Sequence, residues 1–431
     1  MPCEILLPRE LIELILLYCD GQTLCAAQHV NREWKDIVNY LDKKYKIWKR
    51  SCIEDIPKLE LLQYTTLPTT DWHQIYENRT TWQDIQQNIR FHTKVFETQS
   101  ANKEITCIAA TDKYIGIGLG SGKIIVYNQD GVQLKEFTIH LGTSIKSIHF
   151  ITDEDQNTSI VANYYDMLII HKLVLETFDA LNEYNYGVVD NHTAFDFYKT
   201  FFSGMSSRSP YLTIGRFTND DLNENHTIIA NILMHDINYG YGLQLRLLTC
   251  ILNENLCLVL AMNMMYIVER DDQPNAQFIV RVLMTMPELG REGFRGINLD
   301  VWVMNEDVRV SCIRALTTSD PQVMYVHTPT KDIDPTTKYF LPQEVFETVI
   351  TCIRLHGNTL VIGTLKGWLY FYEINKREDW QTFDIANYSH AMEIDIAFGP
   401  VKYISVAERE QRLFYVSSSW DKIRIVTGKI K

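Results

Sequence analysis

Ile105-Thr106-Cys107-Ile108 opens a series that continues with Ile117-Gly118, Gly122 and Tyr127. The same series returns at identical offsets as Ile350-Thr351-Cys352-Ile353, Ile362-Gly363, Gly367 and Tyr372. Leu248-Thr249-Cys250-Ile251 and Val310-Ser311-Cys312-Ile313 repeat the opening tetrad, and its lead-in recurs as Val95-Phe96-Glu97-Thr98 and Val345-Phe346-Glu347-Thr348. Short β-branched runs closed by glycine at a fixed distance read as strands joined by tight turns. Self-similarity at constant spacing marks a repeat architecture, in which each unit buries its apolar face against the next. The tetrad cysteines Cys107, Cys250, Cys312 and Cys352 read as small apolar fillers at one position of the unit, not as ligands.

Weaker copies begin near Ile145-Lys146-Ser147-Ile148 and Val401-Lys402-Tyr403-Ile404, and another lies between about 193 and 217. About seven units of roughly 48 residues fill the span 93–431. A four-stranded blade with long loops takes that much chain, and blades closed in a ring leave only short protected edges. Ser417-Ser418-Ser419-Trp420-Asp421-Lys422-Ile423-Arg424-Ile425 resembles the end of a WD-repeat strand pair, with Asp421 at the tight turn and Asp166 matching it. The other copies lack this Asp, so the resemblance is to a divergent WD-like propeller. A chain ending in the third strand of its last blade would take its outer strand from residues 93–98, closing the ring from the N-terminal side. Residues 174–227, with the polar stretch Ser203 to Arg208, and 271–307, with Pro287, Gly290, Gly293 and Gly296, read as long loops on one propeller face.

The first fifty residues are helical. Leu7, Leu11, Leu14, Ile15 and Tyr18 form one apolar stripe, and Ile12, Leu16 and Cys19 a second on the same helix. Pro8 suits a first helical turn. Asp20-Gly21 ends that helix; Thr23 is expected to cap a second, and Asn31 a third with Trp34, Ile37, Val38 and Leu41 on one face. One stripe can face the bundle interior. The other is left for a partner or for the chain's own C-terminal domain. The order Leu7-Pro8-Arg9-Glu10-Leu11, Ile15, Tyr18, Asp20, Leu24, Ala27, Val30, Arg32 and Trp34, then Ile47-Trp48 and Cys52, resembles the F-box motif without a gap. It departs at Glu13, Gly21 and Thr23. The resemblance implies that Leu7, Pro8, Leu11, Ile15, Leu24, Val30 and Trp34 form or support the face that binds the adaptor subunit of SCF ubiquitin ligases, and through it the cullin scaffold. Residues 53–92 read as a helical connector with two tryptophans. Thr70-Asp71 precedes one short helix, and Thr81-Trp82-Gln83-Asp84 looks like a capping box for another that includes Ile85 and Ile89. The expected fold is thus α+β multidomain: a three-helix F-box over 1–52, a helical connector over 53–92 and an all-β propeller over 93–431.

Composition narrows the function. The chain of 431 residues carries a net charge of −13, and 46% of it is apolar. Eight Trp, 23 Tyr and 18 Phe supply a sizeable core, which excludes wholesale disorder. The negative field argues against nucleic acid, and no apolar run is long enough for a membrane span. Charged residues interrupt the N-terminal apolar stretch, and the nine cysteines are scattered without a Cys-x-x-Cys pair, so a cytoplasmic or nuclear location is expected. The basic cluster Lys43, Lys44, Lys46, Lys49 and Arg50 reads as a solvated helix end. Gly116, Gly118, Gly120 and Gly122 fit no nucleotide-binding pattern: Ser121 stands where a dinucleotide loop has its third Gly, and Ile124 follows Gly122-Lys123 where a phosphate loop needs a hydroxyl. Cys19, Cys25 and His29 lack metal spacing, and neither a nucleophile elbow nor a zinc-protease motif occurs. No catalytic residue, cofactor or metal is expected, and the reading is a non-enzymatic subunit.

In F-box receptors that read phosphorylated degrons, an Arg occupies the second tetrad position. Here that position holds Thr106, Thr249, Ser311 and Thr351, with Lys146 and Lys402 only in the weak copies. Arg314 and Arg354 lie later, where strand alternation returns to one face. Lys146, Arg314, Arg354 and Lys402 are therefore the candidate substrate contacts. Residues 1–92 hold 11 Lys/Arg against 13 Asp/Glu, so a net −11 falls on the rest, a field that favours basic partners. The resemblance implies a substrate-recognition subunit whose propeller binds a protein. The alternative is a non-degradative scaffold with the same two domains.

Overall fold

The cysteine and the glycine of the repeated series are partners across one strand pair, Cys107 opposite Gly118 and Cys352 opposite Gly363. A Cβ on Gly363 would lie 2.6 Å from Cys352 Sγ and 2.7 Å from Val401 Cγ1 of the following blade; one on Gly118 would overlap Cys107 Sγ and approach Ile145 to 2.9 Å. The fixed offset is thus a packing rule: a small thiol, no side chain opposite, and a residue that opens the next blade pressed onto both. The register shifts by one residue between Ile105 and Cys107 and between Ile350 and Cys352, so Thr106 and Thr351 are bulged. Their hydroxyls donate to the carbonyls of Gly118 at 3.2 Å and Gly363 at 3.1 Å.

The computed structural model of the chain describes residues 7–56, 61, 71–81, 89–97, 104–111, 113–138, 143–152, 158–164, 168–171, 183–184, 192–198, 201–206, 211–217, 226–234, 247–253, 255–261, 264–270, 276–285, 298–304, 307–314, 323–328, 336–356, 359–374, 379, 382–393, 399–409, 412–418 and 422–430. Among these, seven four-stranded antiparallel sheets follow the N-terminal helices. Blade 1 comprises Ile105–Ala110, Tyr114–Leu119, Lys123–Asn128 and Gln133–Thr138. Blade 2 comprises Ile145–Thr152, Thr158–Tyr164, Leu168–His171 and Glu183–Tyr184; blade 3, His192–Tyr198, Phe201–Ser206, Tyr211–Phe217 and His226–Leu233. Blade 4 comprises Leu247–Asn253, Leu256–Ala261, Met264–Glu269 and Ile279–Thr285; blade 5, Asn298–Met304, Asp307–Arg314, Val323–Thr328 and Thr336–Phe340. Blade 6 comprises Ile350–His356, Thr359–Thr364, Trp368–Glu373 and His390–Glu393. Blade 7 comprises Tyr403–Arg409, Arg412–Ser418, Lys422–Ile430 and the N-terminal strand Ile89–Glu97. First strands touch between blades 1 and 2, 3 and 4, 5 and 6, 6 and 7, and 7 and 1, which places them toward the centre of the ring.

The ring is closed as the sequence reading expected. Ile89–Glu97 pairs antiparallel with Lys422–Ile430 over its whole length, Ile89 opposite Ile430 and Glu97 opposite Lys422. Phe91 carries this strand onto blade 6, its ring stacked on Phe371 at 4.8 Å. The core lies between blades: Ile105, Ile117 and Ile125 of blade 1 pack on Ile423 and Ile425 of blade 7, whereas Val426 packs on Val361 and Phe371 of blade 6.

Four local readings are corrected. Val310-Ser311-Cys312-Ile313 lies in the second strand of blade 5, not the first, so Cys312 is out of position with Cys107 and Cys352. A tetrad of apolar residues around one hydroxyl suits any buried strand, and its identity with the others was compositional. Ser203-Gly204-Met205-Ser206 is not loop: it belongs to the second strand of blade 3, with Ser203 and Met205 fully buried, because small residues let neighbouring layers approach. The two lead-ins differ, Val95–Glu97 being strand and Val345–Phe346 ending a short helix before left-handed Glu347. Ile89 starts a strand and is not helical. Asp166, Asp421, Ile85 and residues 286–297, with their proline and glycines, lie outside the described residues.

The packing rule makes a prediction. Gly118→Ala should destabilise the propeller by about 1–3 kcal/mol through overpacking, and a second change, Cys107→Ala, should recover part of the loss. Gly120→Ala, where a Cβ meets nothing nearer than 3.7 Å, should leave the thermal unfolding midpoint unchanged.

Candidate functional site

Among the described residues, five helices build the N-terminal body: α1 (Arg9–Leu17), α2 (Gly21–Gln28), α3 (Arg32–Tyr45), α4 (Ile47–Asp55) and α5 (Trp72–Thr81). Asp20, not Thr23, caps α2: its Oδ1 accepts from Thr23 N–H at 2.7 Å, and hydrogen bonds from the Thr23 hydroxyl and then from that N–H hold the Asp20 carboxyl below its usual pKa. Asn31 caps α3 as expected, accepting from Trp34 N–H at 2.9 Å. Lys46 takes a left-handed turn between α3 and α4, and the Asp42 carboxylate accepts from Trp48 N–H at 3.2 Å.

The connector is part of this core. Ile75 and Tyr76 of α5 are buried with Leu24, Ile37, Trp48 and Cys52. The Trp48 ring lies 4.6 Å from His73 and 5.6 Å from Tyr76. Tyr76 Oη donates to Asp55 Oδ2 at 2.5 Å, and its ring lies so close to Gly21 that any side chain there would overlap it. Burial pushes the Cys25 thiol up to about 11 and the Cys52 thiol up to about 12, so both are inert fillers.

The two stripes of α1 part company. Ile12 and Leu16 are buried. Leu11 (46% exposed), Leu14, Ile15 (51%) and Tyr18 (80%) face water, and Leu7 and Val30 (59%) are exposed with them. Pro8 precedes α1 and is exposed; Arg9 spans the helix to Glu13 at 2.9 Å, holding the acid on its own turn. Leu24 is fully buried and Trp34 half-buried against the core, so these two support the surface from beneath. The basic cluster has local partners: Arg50 Nη2 donates to Leu17 O at 2.8 Å, Lys44 lies over the rings of Tyr40 and Tyr45, and Lys49 over Trp72.

On the ring, the four candidate cations come from four different blades or the segments that open them. Lys402 Nζ bonds Glu104 Oε1 at 2.6 Å, joining blade 7 to blade 1. Lys146 is the bulged residue at the start of blade 2. Arg354 is exposed on the first strand of blade 6, whereas Arg314 ends the second strand of blade 5. Arg354 acts electrostatically on His149 of blade 2, whose Nε2 is buried; burial and that positive charge together lower the imidazole from 6.5 to about 4. Among the described residues no cluster of three metal-ligating side chains occurs, and no helix is long and apolar enough to cross a membrane.

Residues 5–46 match the family F-box domain. That segment is an F-box domain. No curated protein sequence matches the chain. The crystal structure of Chaetomium thermophilum Raptor superposes on 95% of this chain with a TM-score of 0.52 at 12% identity; the chain spans 38% of Raptor's length. The computationally designed Ika8 protein aligns with 76% of this chain and 98% of its own, at a TM-score of 0.44 and 14% identity. At its level of identity the Raptor match shows the propeller fold and nothing of function. The F-box domain implies association with the adaptor of SCF ubiquitin ligases, and F-box proteins are typically non-catalytic ligase subunits.

The lowered His149 gives a pH dependence with a definite sign. Its folded value lies below 6.5, so the folded state favours neutral imidazole; the stabilisation is full above about 6.5 and is lost as pH falls toward about 4. Urea unfolding of the chain should show declining stability across that window, by a few kcal/mol at most (about 1.4 per pKa unit). His149→Gln should flatten the decline.

Proposed function

We propose that this chain is the substrate receptor of an SCF-type ubiquitin ligase. Leu7, Pro8, Leu11, Ile15 and Val30 dock the adaptor, with Leu24 and Trp34 holding that face in shape, and the adaptor links the chain to the cullin scaffold. The propeller binds a protein substrate. One observation carries the reading: an F-box domain whose inner stripe is satisfied by its own core and whose outer stripe is left in water. The receptor does no bond chemistry. It raises the effective concentration of a substrate lysine at the conjugating enzyme. The packing of α5 onto the F-box core suits that task, since a connector that shares a core holds a fixed distance better than a flexible tether.

Leu11→Ser with Ile15→Ser removes apolar surface without touching the buried core. Adaptor co-purification should fall at least tenfold while circular dichroism and the unfolding midpoint stay as in the parent. Retained adaptor binding overturns the reading. In cells, the same variant should lengthen the half-life of proteins captured by the propeller; captured proteins with unchanged half-lives identify a scaffold instead.

A further inference from the structure

One end of blade 6 carries exposed aromatic and acidic groups beside its core. The segment before the blade and its second turn meet at one end: Leu365 N–H donates to Val349 O at 3.0 Å, and Lys366 Nζ lies 3.8 Å from Glu347 Oε2. Glu347 is one of two non-glycine residues with positive φ among the described residues, at 53°, and its side chain is 86% exposed. Trp368, next on the third strand, is half-buried, with its ring near-parallel to Tyr370 at 6.0 Å. Tyr388 stands edge-on to Tyr370 at 5.0 Å and is 42% exposed. Glu393 faces Trp368 across the strand pair and is exposed. Burial, then Tyr388 and the Glu347 carboxylate, raise the Tyr370 hydroxyl.

Blade 1 shows what the fold alone requires. At the positions of Leu365, Trp368 and Tyr370 it has Gly120, Lys123 and Ile125, with Lys123 engaged by Glu136. The same strands close there without exposed aromatic rings or a surplus of acid. In blade 6 Glu347 pairs with Lys366, Glu393 is a second exposed carboxylate opposite Trp368, and Tyr388 is exposed beside the rings.

Resting on the receptor reading, we propose that this corner, formed by Glu347, Trp368, Tyr388 and Glu393, docks a Lys- or Arg-bearing segment of the substrate. The cation lies over an aromatic face with a carboxylate as counter-charge, and Leu365 takes the apolar part of its stem. The net −11 of residues 93–431 steers such a segment inward.

The test uses the full chain bound to its adaptor and a fluorescein-labelled nonapeptide of alternating Arg and Ala, read by polarisation. The peptide should bind, and its Glu/Ala counterpart should not. Glu347→Lys should weaken binding at least fivefold and Tyr388→Ala at least threefold. Asp130→Lys, the same charge change on an exposed turn of blade 1, should change it less than twofold. Equal losses for Glu347→Lys and Asp130→Lys, or no binding by the parent, overturn the proposal. Should Glu347→Lys lower the melting temperature, Glu347→Gln with Glu393→Gln replaces it, with the same threshold. Adaptor retained with peptide binding absent sinks this inference alone; adaptor lost from the parent sinks the receptor reading.

Discussion

The propeller depends on the absence of a side chain at Gly118 and Gly363. Each glycine lies opposite a tetrad cysteine and beneath a residue that opens the following blade, Ile145 at the start of blade 2 and Val401 two residues before the first strand of blade 7. Ring closure requires every blade to approach the next at a set distance and tilt, and the inner strands are where the approach is tightest. Removing the Cβ there, and keeping the facing residue as small as a thiol, lets a β-branched residue of the neighbour fill the junction. The bulge beside it follows. The extra residue cannot pair in the ladder, so its hydroxyl satisfies the glycine carbonyl instead. In blade 6 the same Thr351 hydroxyl also donates to Val401 O, tying the bulge to blade 7. Packing, hydrogen bonding and register at these junctions are one arrangement.

Within that arrangement Thr106 and Thr351 bond the carbonyls of their own blades, and Lys402 crosses to Glu104 of blade 1. Each satisfies a neighbour in the ring.

Much of this was legible in the sequence, and the limits are physical. The offsets between Cys and Gly announced a repeat because they encode a contact between adjacent strands, and local contacts leave fixed spacings. The closing strand was legible because the last blade lacked a fourth strand of its own. Val310-Ser311-Cys312-Ile313 misled because a tetrad without its glycine carries composition and no contact; Cys312 pairs with Leu299 and Tyr325. The strand containing Ser203 and Gly204 was missed because a buried strand of small residues has the composition of a turn. Thr23 was the expected cap of α2, but the helix starts earlier, because the Asp20 carboxylate reaches the free Thr23 N–H. The α1 surface was legible as two stripes at helical spacing, but not which would be buried, because that depends on α3 and α4 packing on one of them. The corner of blade 6 left no mark. Glu347 and Lys366 lie 19 residues apart, Tyr388 lies further on, and no spacing in the chain reports that they meet.

Gly21 shows how the two parts of the molecule constrain each other. Read alone it is a departure from the F-box pattern, a glycine where a proline is common. In the fold it is where the Tyr76 ring of the connector lies, and any side chain would displace that ring and its bond to Asp55. The departure is therefore not a weakened F-box but a seat for α5. The chain then enters the strand that closes the propeller eight residues after α5 ends. The residues that anchor the connector to the adaptor-binding domain and those that close the ring are thus nearly continuous. Movement of α5 relative to the F-box core would cost the Trp48, His73 and Tyr76 contacts together, and movement of the closing strand would cost nine paired residues and the Phe91 stack. Both attachments are thus expensive to break, and this sequence secures each with aromatic packing plus hydrogen bonds rather than with either alone.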